Sequence, residues 1–404
     1  MHVYVCFGSV AAISVIYISA MLAADIPFST MFKYFHSYSE NLEKAKSKNR
    51  GRTTKALDYI YTHDKPFQEM PSSPERYDLD LLVVVVTISR EKAPRSQKTG
   101  YLLQTATAVD KLMNRDKYFT NKIMLICNVD KNPKAHEDAV ELQSYLPFIN
   151  KDGGNNLGFN VTGVPELKDS GLRDEARRQE IVDYAFCLNV SLSMKHRYAL
   201  ILEDDVIPYK NLFEVLHHTL KYRLPEHKRF SFLKLYFPTR WQGYAFETDR
   251  ILELISIGTI GGALFSVIAS CFDFELSRGR KGSSSIGFFI CGFLCFLAVA
   301  KILGRVQVLE LRRLTPFLYK FGPSSACCTQ AMLYKRETLP HLIQHLLINN
   351  SLNKDLAIYD FSEKYGVQGY QLEPNLFLHT GMRTSLSSNV KNPEEFLFDL
   401  PFLE

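Results

Sequence analysis

Residues 200–206 read Leu-Ile-Leu-Glu-Asp-Asp-Val, an apolar run that stops in three carboxylates. In an extended chain successive side chains alternate between faces, so Glu203 and Asp205 point one way and Asp204 the other. Ligands of open parallel sheets bind beyond the carboxyl ends of the strands. Two carboxylates there suit a hard divalent cation, and that cation in turn suits a diphosphate. A solvated acidic turn at a strand end is the alternative reading.

The elements around this motif alternate strand and helix. Residues 79–89 (LDLLVVVVTIS) form a continuous branched apolar run, the pattern of a strand buried on both faces. A second such strand covers 122–127 and a third 198–202, and helical spacing fills 99–117, 135–145 and 173–193 between them. This order predicts an α/β fold with a doubly wound, mainly parallel sheet. Strands at 232–236, 331–334 and 370–379 and helices at 339–348 and 355–364 complete it. Residues 152–171, rich in Gly, Asn and Asp, read as a loop, and 312–320 as irregular. Residues 25–78, broken by Pro66, Pro71 and Pro74, read as a stem.

Three apolar runs interrupt this plan. Residues 3–24 carry no charge and, at about 1.5 Å per residue, reach about 33 Å, enough to cross a bilayer core. An uncleaved anchor is favoured over a cleaved signal peptide, because the run is long and only Met1 and His2 precede it. Residues 251–272 and 286–304 flank a short link with Arg278, Arg280 and Lys281, the pattern of a transmembrane hairpin with a cytosolic link. Two buried core helices are the soluble alternative. Gly258 and Gly262 form a small-xxx-small pair suited to close helix packing. Glu253, Lys301 and Arg305 fall at one level of an antiparallel hairpin and can pair or snorkel. The expected organisation is an anchor (1–24), a lumenal stem (25–78), a catalytic domain in two parts (79–250 and 306–404), and the hairpin (251–305) inserted between them. Sequons at Asn160, Asn189 and Asn349 agree with a secretory compartment; Asn160 and Asn349 are the candidate glycosylation sites, since Asn189 falls in a helix.

The 404 residues carry 48 Lys+Arg against 43 Asp+Glu, a net charge of +5. No basic block dominates, so nucleic acid is not an expected partner. With 23% charged and 46% hydrophobic residues, the chain is neither a disordered polyelectrolyte nor a polytopic bundle. The eight cysteines show no zinc-site spacing. One disulfide among Cys127, Cys187, Cys327 and Cys328 is expected, pairing undetermined. The adjacent Cys327 and Cys328 are not expected to bond to each other.

Glu203-Asp204-Asp205 at a strand end resembles the D-x-D signature of glycosyltransferases with the GT-A fold. The inserted hairpin is followed in order by LELRRLTPFLY (309–319), CCTQAMLY (327–334), NKDLAIY (353–359) and LEPNLFLHTG (372–381). Together they resemble the Golgi GPI-anchor N-acetylgalactosaminyltransferase family, across nearly the whole chain. The nearly absent segment ahead of the first run departs from that pattern.

The resemblance implies a GT-A fold, a multi-pass Golgi membrane location with a lumenal catalytic domain, Mn²⁺, and UDP-GalNAc as the UDP-sugar donor. It implies the first mannose of the glycan on GPI-anchored proteins as acceptor, and inversion to a β-linkage. Inversion needs a general base on the acceptor hydroxyl. Asp355 is the candidate, an N-cap role being the structural alternative; Asp360 ranks below it. Asp205, Glu203 and His379 are the candidate metal ligands. Thr87, Arg90, Asn128, Asp130, Glu203 and Asp204 are candidates for the UDP-sugar. Arg383 is a weaker candidate for the diphosphate. Trp241 and Tyr244 are candidate acceptor contacts, through stacking on sugar C–H surfaces; a core or membrane-interface role is the alternative for Trp241, since the hairpin begins about ten residues later. An N-acetylglucosaminyltransferase acting on N-glycans, or a non-catalytic membrane protein with a GT-A shell, are the competing readings.

Overall fold

A computed structural model describes residues 2–62, 67, 78–90, 99–153, 175–276, 285–348, 352–383 and 390–397. The sequons at Asn160 and Asn349, the link with Arg278, Arg280 and Lys281, and most of the 152–171 loop lie outside these residues. The chain divides into two compact units, one of residues 1–42 with 238–314, the other of 43–237 with 315–404.

The larger unit is mixed α/β. Its strands are β1 (Leu79–Thr87), β2 (Lys122–Asn128), β3 (Phe148–Asn150), β4 (His196–Glu203), β5 (Val206–Pro208), β6 (Leu233–Lys234), β7 (Lys320–Pro323), β8 (Ala331–Lys335), β9 (Tyr370–Glu373) and β10 (Phe377–His379). Eight of them form one sheet in the order β3-β2-β1-β4-β8-β6-β9-β7. β3, β2, β1 and β4 run parallel, with Val84 opposite both Leu125 and Ile201. β8 then enters antiparallel between β4 and β6, so the sheet is parallel on one side and mixed on the other.

The parallel half follows from the apolar runs. Leu81, Val83, Val85, Leu200 and Leu202 pack into one buried cluster, and Leu82, Val84, Ala199 and Ile201 into another across the sheet. Helices Tyr101–Arg115 and Leu212–Tyr222 supply the first cluster with Leu102, Ala106, Val109, Val215 and Leu216. Helices Glu175–Leu192, Leu339–Ile348 and Lys354–Lys364 supply the second with Ile181, Ala185, Leu342, Ala357 and Phe361. Burying each Leu, Val, Ile or Phe among these stabilises the fold by about 1.5–3 kcal/mol.

Several local expectations change. The 370–379 strand divides at Pro374: β9 stays in the main sheet, while β10 pairs antiparallel with β5 in a separate two-stranded sheet. The 135–145 helix shortens to Glu137–Leu142, and the strand at 232–236 to Leu233–Lys234. The stretch read as a stem contains helix Tyr38–Tyr61. Ala56 and Ile60 of that helix are buried in the core, and Tyr59 donates to Asp110 Oδ2 at 2.7 Å. Its apolar positions are too sparse among charges to announce a packed helix. Cys127 and Cys187 form a disulfide at 2.04 Å. Cys327 and Cys328 are also bonded, against expectation, with φ of 67° at Cys328 placing the backbone in the left-handed region.

The smaller unit holds helices His2–Ala23, Thr248–Leu276 and Ser285–Leu303. The last two are long and apolar enough to cross a bilayer; Val10–Ala23 is a shorter apolar helix. Apolar side chains of Thr248–Leu276 face outward instead of into a core: Ile260 is 63% exposed and Val267 61%. Along the contact of the two long helices, a Cβ on Gly258 would lie 2.8 Å from the Phe293 ring and one on Gly262 2.8 Å from the Phe289 ring. The glycines therefore receive aromatic rings that larger residues would exclude. Arg305, 2% exposed, holds both oxygens of Glu253 at 3.0 Å. Arg312 reaches Glu253 Oε2 at 3.1 Å.

Candidate functional site

The chemistry gathers at the carboxyl ends of β1, β2 and β4. β4 ends at Glu203, and the turn through Asp204 and Asp205 leads into β5. Helix Tyr101–Arg115 fixes that turn: the Thr105 hydroxyl contacts the Asp204 carbonyl at 2.7 Å and the Val206 carbonyl at 2.8 Å. Asp204 and Asp205 are each 3% exposed. Thr87 Oγ1 donates to Asp204 Oδ2 at 2.6 Å and lies 2.7 Å from His136 Nε2. Arg90 Nη2 bridges Asp204 Oδ1 at 2.8 Å and Asp205 Oδ2 at 3.0 Å. The same guanidinium lies 4.8 Å from the centre of the Tyr101 ring, a cation–π distance.

The β5–β10 pair sets His379 opposite Val206, beside Asp205. His379 Nε2 is 3.3 Å from Asp205 Oδ2, and the Thr380 N–H donates to the Asp205 carbonyl at 2.7 Å. A Cβ on Gly381 would come within 1.9 Å of Asp205 Oδ2, so only glycine lets the chain pass here. Burial disfavours charge on Asp205, but His379, Arg90 and Lys391 outweigh it and hold its carboxyl well below the usual carboxylate range. Burial opposes, and the two aspartates overcome, the charge on Arg90, which is held above its ordinary value.

Asp205 Oδ1 is buried with no hydrogen-bond partner among the described residues. A buried carboxylate oxygen without a partner, beside an imidazole, fits a divalent cation such as Mn²⁺ by donor chemistry. Of the three candidate ligands, Asp205 and His379 are the two that the fold brings together. Glu203 turns elsewhere: its Oε1 receives Lys354 Nζ at 3.0 Å and the Thr329 hydroxyl at 3.1 Å.

Asp355 opens helix Lys354–Lys364 but does not cap it. Its Oδ2 accepts the Cys328 N–H at 2.8 Å and its Oδ1 the Thr329 hydroxyl at 3.1 Å. It thus ties down the 327–329 loop, and Thr329 links it to Glu203. Asp360 lies elsewhere on that helix, paired with His345 at 3.0 Å. Burial lowers Lys354, but Glu180 and Glu203 outweigh it and hold the ammonium well above its ordinary value. Lys234, 2% exposed, donates to the carbonyls of Ser325 and Cys327, and burial pushes it down to about 8.

A cavity of about 390 Å³ opens beside the cluster, lined by Thr87, Ile88, Arg90, Tyr184, Glu203, Asp204 and Lys354 among others. Four of the candidate UDP-sugar residues, Thr87, Arg90, Glu203 and Asp204, therefore face it. Asn128 and Asp130 do not line it. Asn128 bonds Asn150 Oδ1 at 2.9 Å, and Asp130 Oδ2 accepts the Ser89 N–H at 2.9 Å, so both brace the strand ends. Arg383 presents its carbonyl to Arg90 Nε at 3.1 Å. Trp241 and Tyr244 belong to the other unit. There Arg250 donates to the Trp241 carbonyl at 3.0 Å, and Lys301 Nζ lies 5.8 Å from the Tyr244 ring centre.

His136, Thr329, Lys354 and Lys234 escaped the sequence reading. Lys354 had a signal, being adjacent to Asp355. The others had none, because single polar residues in loops or strands carry no spacing.

A carboxylate cluster and a cavity thus stand at the carboxyl ends of parallel strands, where open α/β sheets bind their ligands. The family model described as GPI-N-acetylgalactosamine transferase PGAP4 matches residues 81–378. That span is well over half of the chain, and the chain belongs to this family. The family is one of glycosyltransferases, with a GPI–GalNAc transferase role.

Proposed function

We propose that the protein transfers N-acetylgalactosamine from UDP-GalNAc to the first mannose of the glycan on GPI-anchored proteins, with inversion, on the lumenal side of the Golgi membrane. The family match supports the role. The observation that carries the mechanism is the Asp204–Asp205 pair bridged by Arg90, with Arg90 and Asp204 lining the cavity and Asp205 buried behind them.

Asp205 and His379 would hold a divalent cation, with Glu203 within two residues of the same strand end. Once bound, Mn²⁺ would neutralise charge on the diphosphate of the departing UDP. Thr87 and Arg90 orient Asp204 at the donor side of the cavity. Asp355 accepts the proton of the acceptor hydroxyl; the Cys328 N–H and Thr329 hydroxyl hold its carboxylate in one orientation while it does so. The GT-A assignment rests on the family resemblance and on this strand-end acidic cluster.

Helices Thr248–Leu276 and Ser285–Leu303 form a membrane hairpin in this reading, and His2–Ala23 an anchor. Residues 25–250 and 306–404 are then lumenal, and the Cys127–Cys187 disulfide suits such an oxidising compartment. Anchoring beside the bilayer raises the effective concentration of a lipid-tethered acceptor. The deciding experiment is a donor screen: purified protein with Mn²⁺, scored for UDP release from each UDP-sugar and for product on a GPI glycan. Release from UDP-GalNAc above the others supports the proposal. Preference for UDP-GlcNAc, or turnover of no donor, overturns it.

A further inference from the structure

The unit bearing the long apolar helices also exposes large apolar side chains outside those helices. Three chain segments meet at one end of its helices: the one after His2–Ala23, the one before Thr248–Leu276 and the one after Ser285–Leu303. Thr30 joins the first to the third, its N–H donating to the Ile302 carbonyl at 2.9 Å and its hydroxyl to the Lys301 carbonyl at 2.6 Å. Gln307 adds a bond to the Pro27 carbonyl at 2.9 Å. Arg305 joins the second to the third, through Glu253 and through the Gln242 carbonyl at 3.1 Å.

Large apolar side chains of these segments face outward. Tyr34 is 69% exposed, Phe35 56%, Trp241 45%, Phe246 102%, Leu311 63% and Leu314 76%. Lys33, Arg240 and Arg312 stand next to them in the chain. Apolar groups gathered like this at one end of a fold mark a surface that another medium covers. What covers it follows from continuity. The exposed face of Thr248–Leu276 begins within a few residues, at Ile251 (41% exposed) and Leu252 (56%). Aromatic rings and aliphatic side chains interleaved with long cationic ones are the composition that partitions into the headgroup layer of a bilayer.

We propose that these three segments form an interfacial collar seated in the headgroup layer of the membrane that the two long helices cross, fixing the depth of this unit. The collar rests on the membrane-spanning reading given above. Of the roles that the sequence leaves open for Trp241, it selects the membrane interface over the acceptor contact.

Trp241 is the single tryptophan of the chain, so the intrinsic fluorescence of the full-length protein reports on the collar directly. The protein is reconstituted in phosphatidylcholine vesicles and quenched with lipids spin-labelled near the headgroup, with lipids labelled at mid-chain, and with aqueous iodide. The expected result is roughly twofold stronger quenching by the shallow lipid label than by the deep one, with weak quenching by iodide. The control is Trp241→Phe with Leu264→Trp, which puts the fluorophore in the middle of the long helix. If Leu264→Trp is not quenched by the deep label, the spanning reading fails and the collar with it. If it is quenched while Trp241 is open to iodide, the collar alone is overturned. The collar is equally overturned if Trp241 is shielded from all three quenchers, because a protein surface such as a second copy then covers it. Phe246→Ser with Leu314→Ser should raise iodide quenching of Trp241 about twofold by loosening the seat; no change would overturn the idea that the collar acts as one surface.

Discussion

Two buried charge clusters, one in each unit, use the same chemistry to different ends. In the smaller unit Arg305 grips Glu253 at both oxygens and Arg312 adds a third contact, so both oxygens are engaged by cations. In the larger unit one guanidinium serves two carboxylates, and Asp205 Oδ1 keeps no partner among the described residues. The first cluster lies between helices; the second opens on a cavity. A pair whose oxygens are already held by cations acts on structure, because removing one partner leaves a buried charge uncompensated. An open one, with a depressed carboxyl and a partnerless oxygen, is poised for a cationic ligand.

The comparison breaks most visibly at Asp205. Asp205→Ala should cut transfer by roughly 10³-fold in a protein that still folds, Asp204 remaining as partner to Arg90, the scale of losing an electrostatic group at a developing charge. EDTA should reproduce the loss in the wild-type protein and Mn²⁺ reverse it. A mutant that turns over normally, or that loses stability instead of activity, would make the two clusters equivalent.

Asp355→Asn comes next. The amide keeps both loop contacts in reach but accepts no proton, so kcat should fall by about 10²-fold while UDP-sugar affinity holds. Weaker donor binding at unchanged kcat would reassign Asp355 to the donor side.

Glu253→Ala should do the opposite of Asp205→Ala. It strands Arg305, 2% exposed, without its carboxylate, at a cost of roughly 3–5 kcal/mol. Unfolding in detergent should therefore come several degrees lower, and Glu253→Met with Arg305→Met together should recover much of the difference. A Glu253→Ala protein of native stability would show that the closed pair is not structural.

The smallest effect concerns Lys234. Its folded pKa, about 8, lies below the ordinary 10.5. Between those values the unfolded chain binds a proton that the native lysine has given up, so this group makes stability rise with pH across that window. Lys234→Met should flatten the rise in urea midpoints measured from pH 8 to 10; an unchanged slope would place the titration elsewhere.

The strands at β1, β2 and β4 were legible because burial on both faces demands unbroken branched apolar runs, and those runs have no other use in a soluble domain. The acidic triplet was legible for a similar reason, since an apolar strand ending in three carboxylates is chemically abrupt. The two long apolar helices announced themselves by length. Helix Leu212–Tyr222 was not anticipated, although its apolar spacing is clear once its place against the sheet is known. Helix Tyr38–Tyr61 was hidden by its charge, its packing resting on a few positions such as Ala56 and Ile60.

By itself the sequence determined where the parallel core runs, where the carboxylates stand and which segments are too apolar for water, because periodicity, strand ends and run length are local properties. Only the tertiary structure decided that Arg90 spans Asp204 and Asp205, that Glu203 turns to Lys354, and that His379 reaches Asp205. Each of those contacts joins residues far apart in the chain, through elements as short as β5 and β10, three residues each. Segments that short carry no pattern of their own; they are held by what they pair with, and the partner is chosen by the packing of the whole unit.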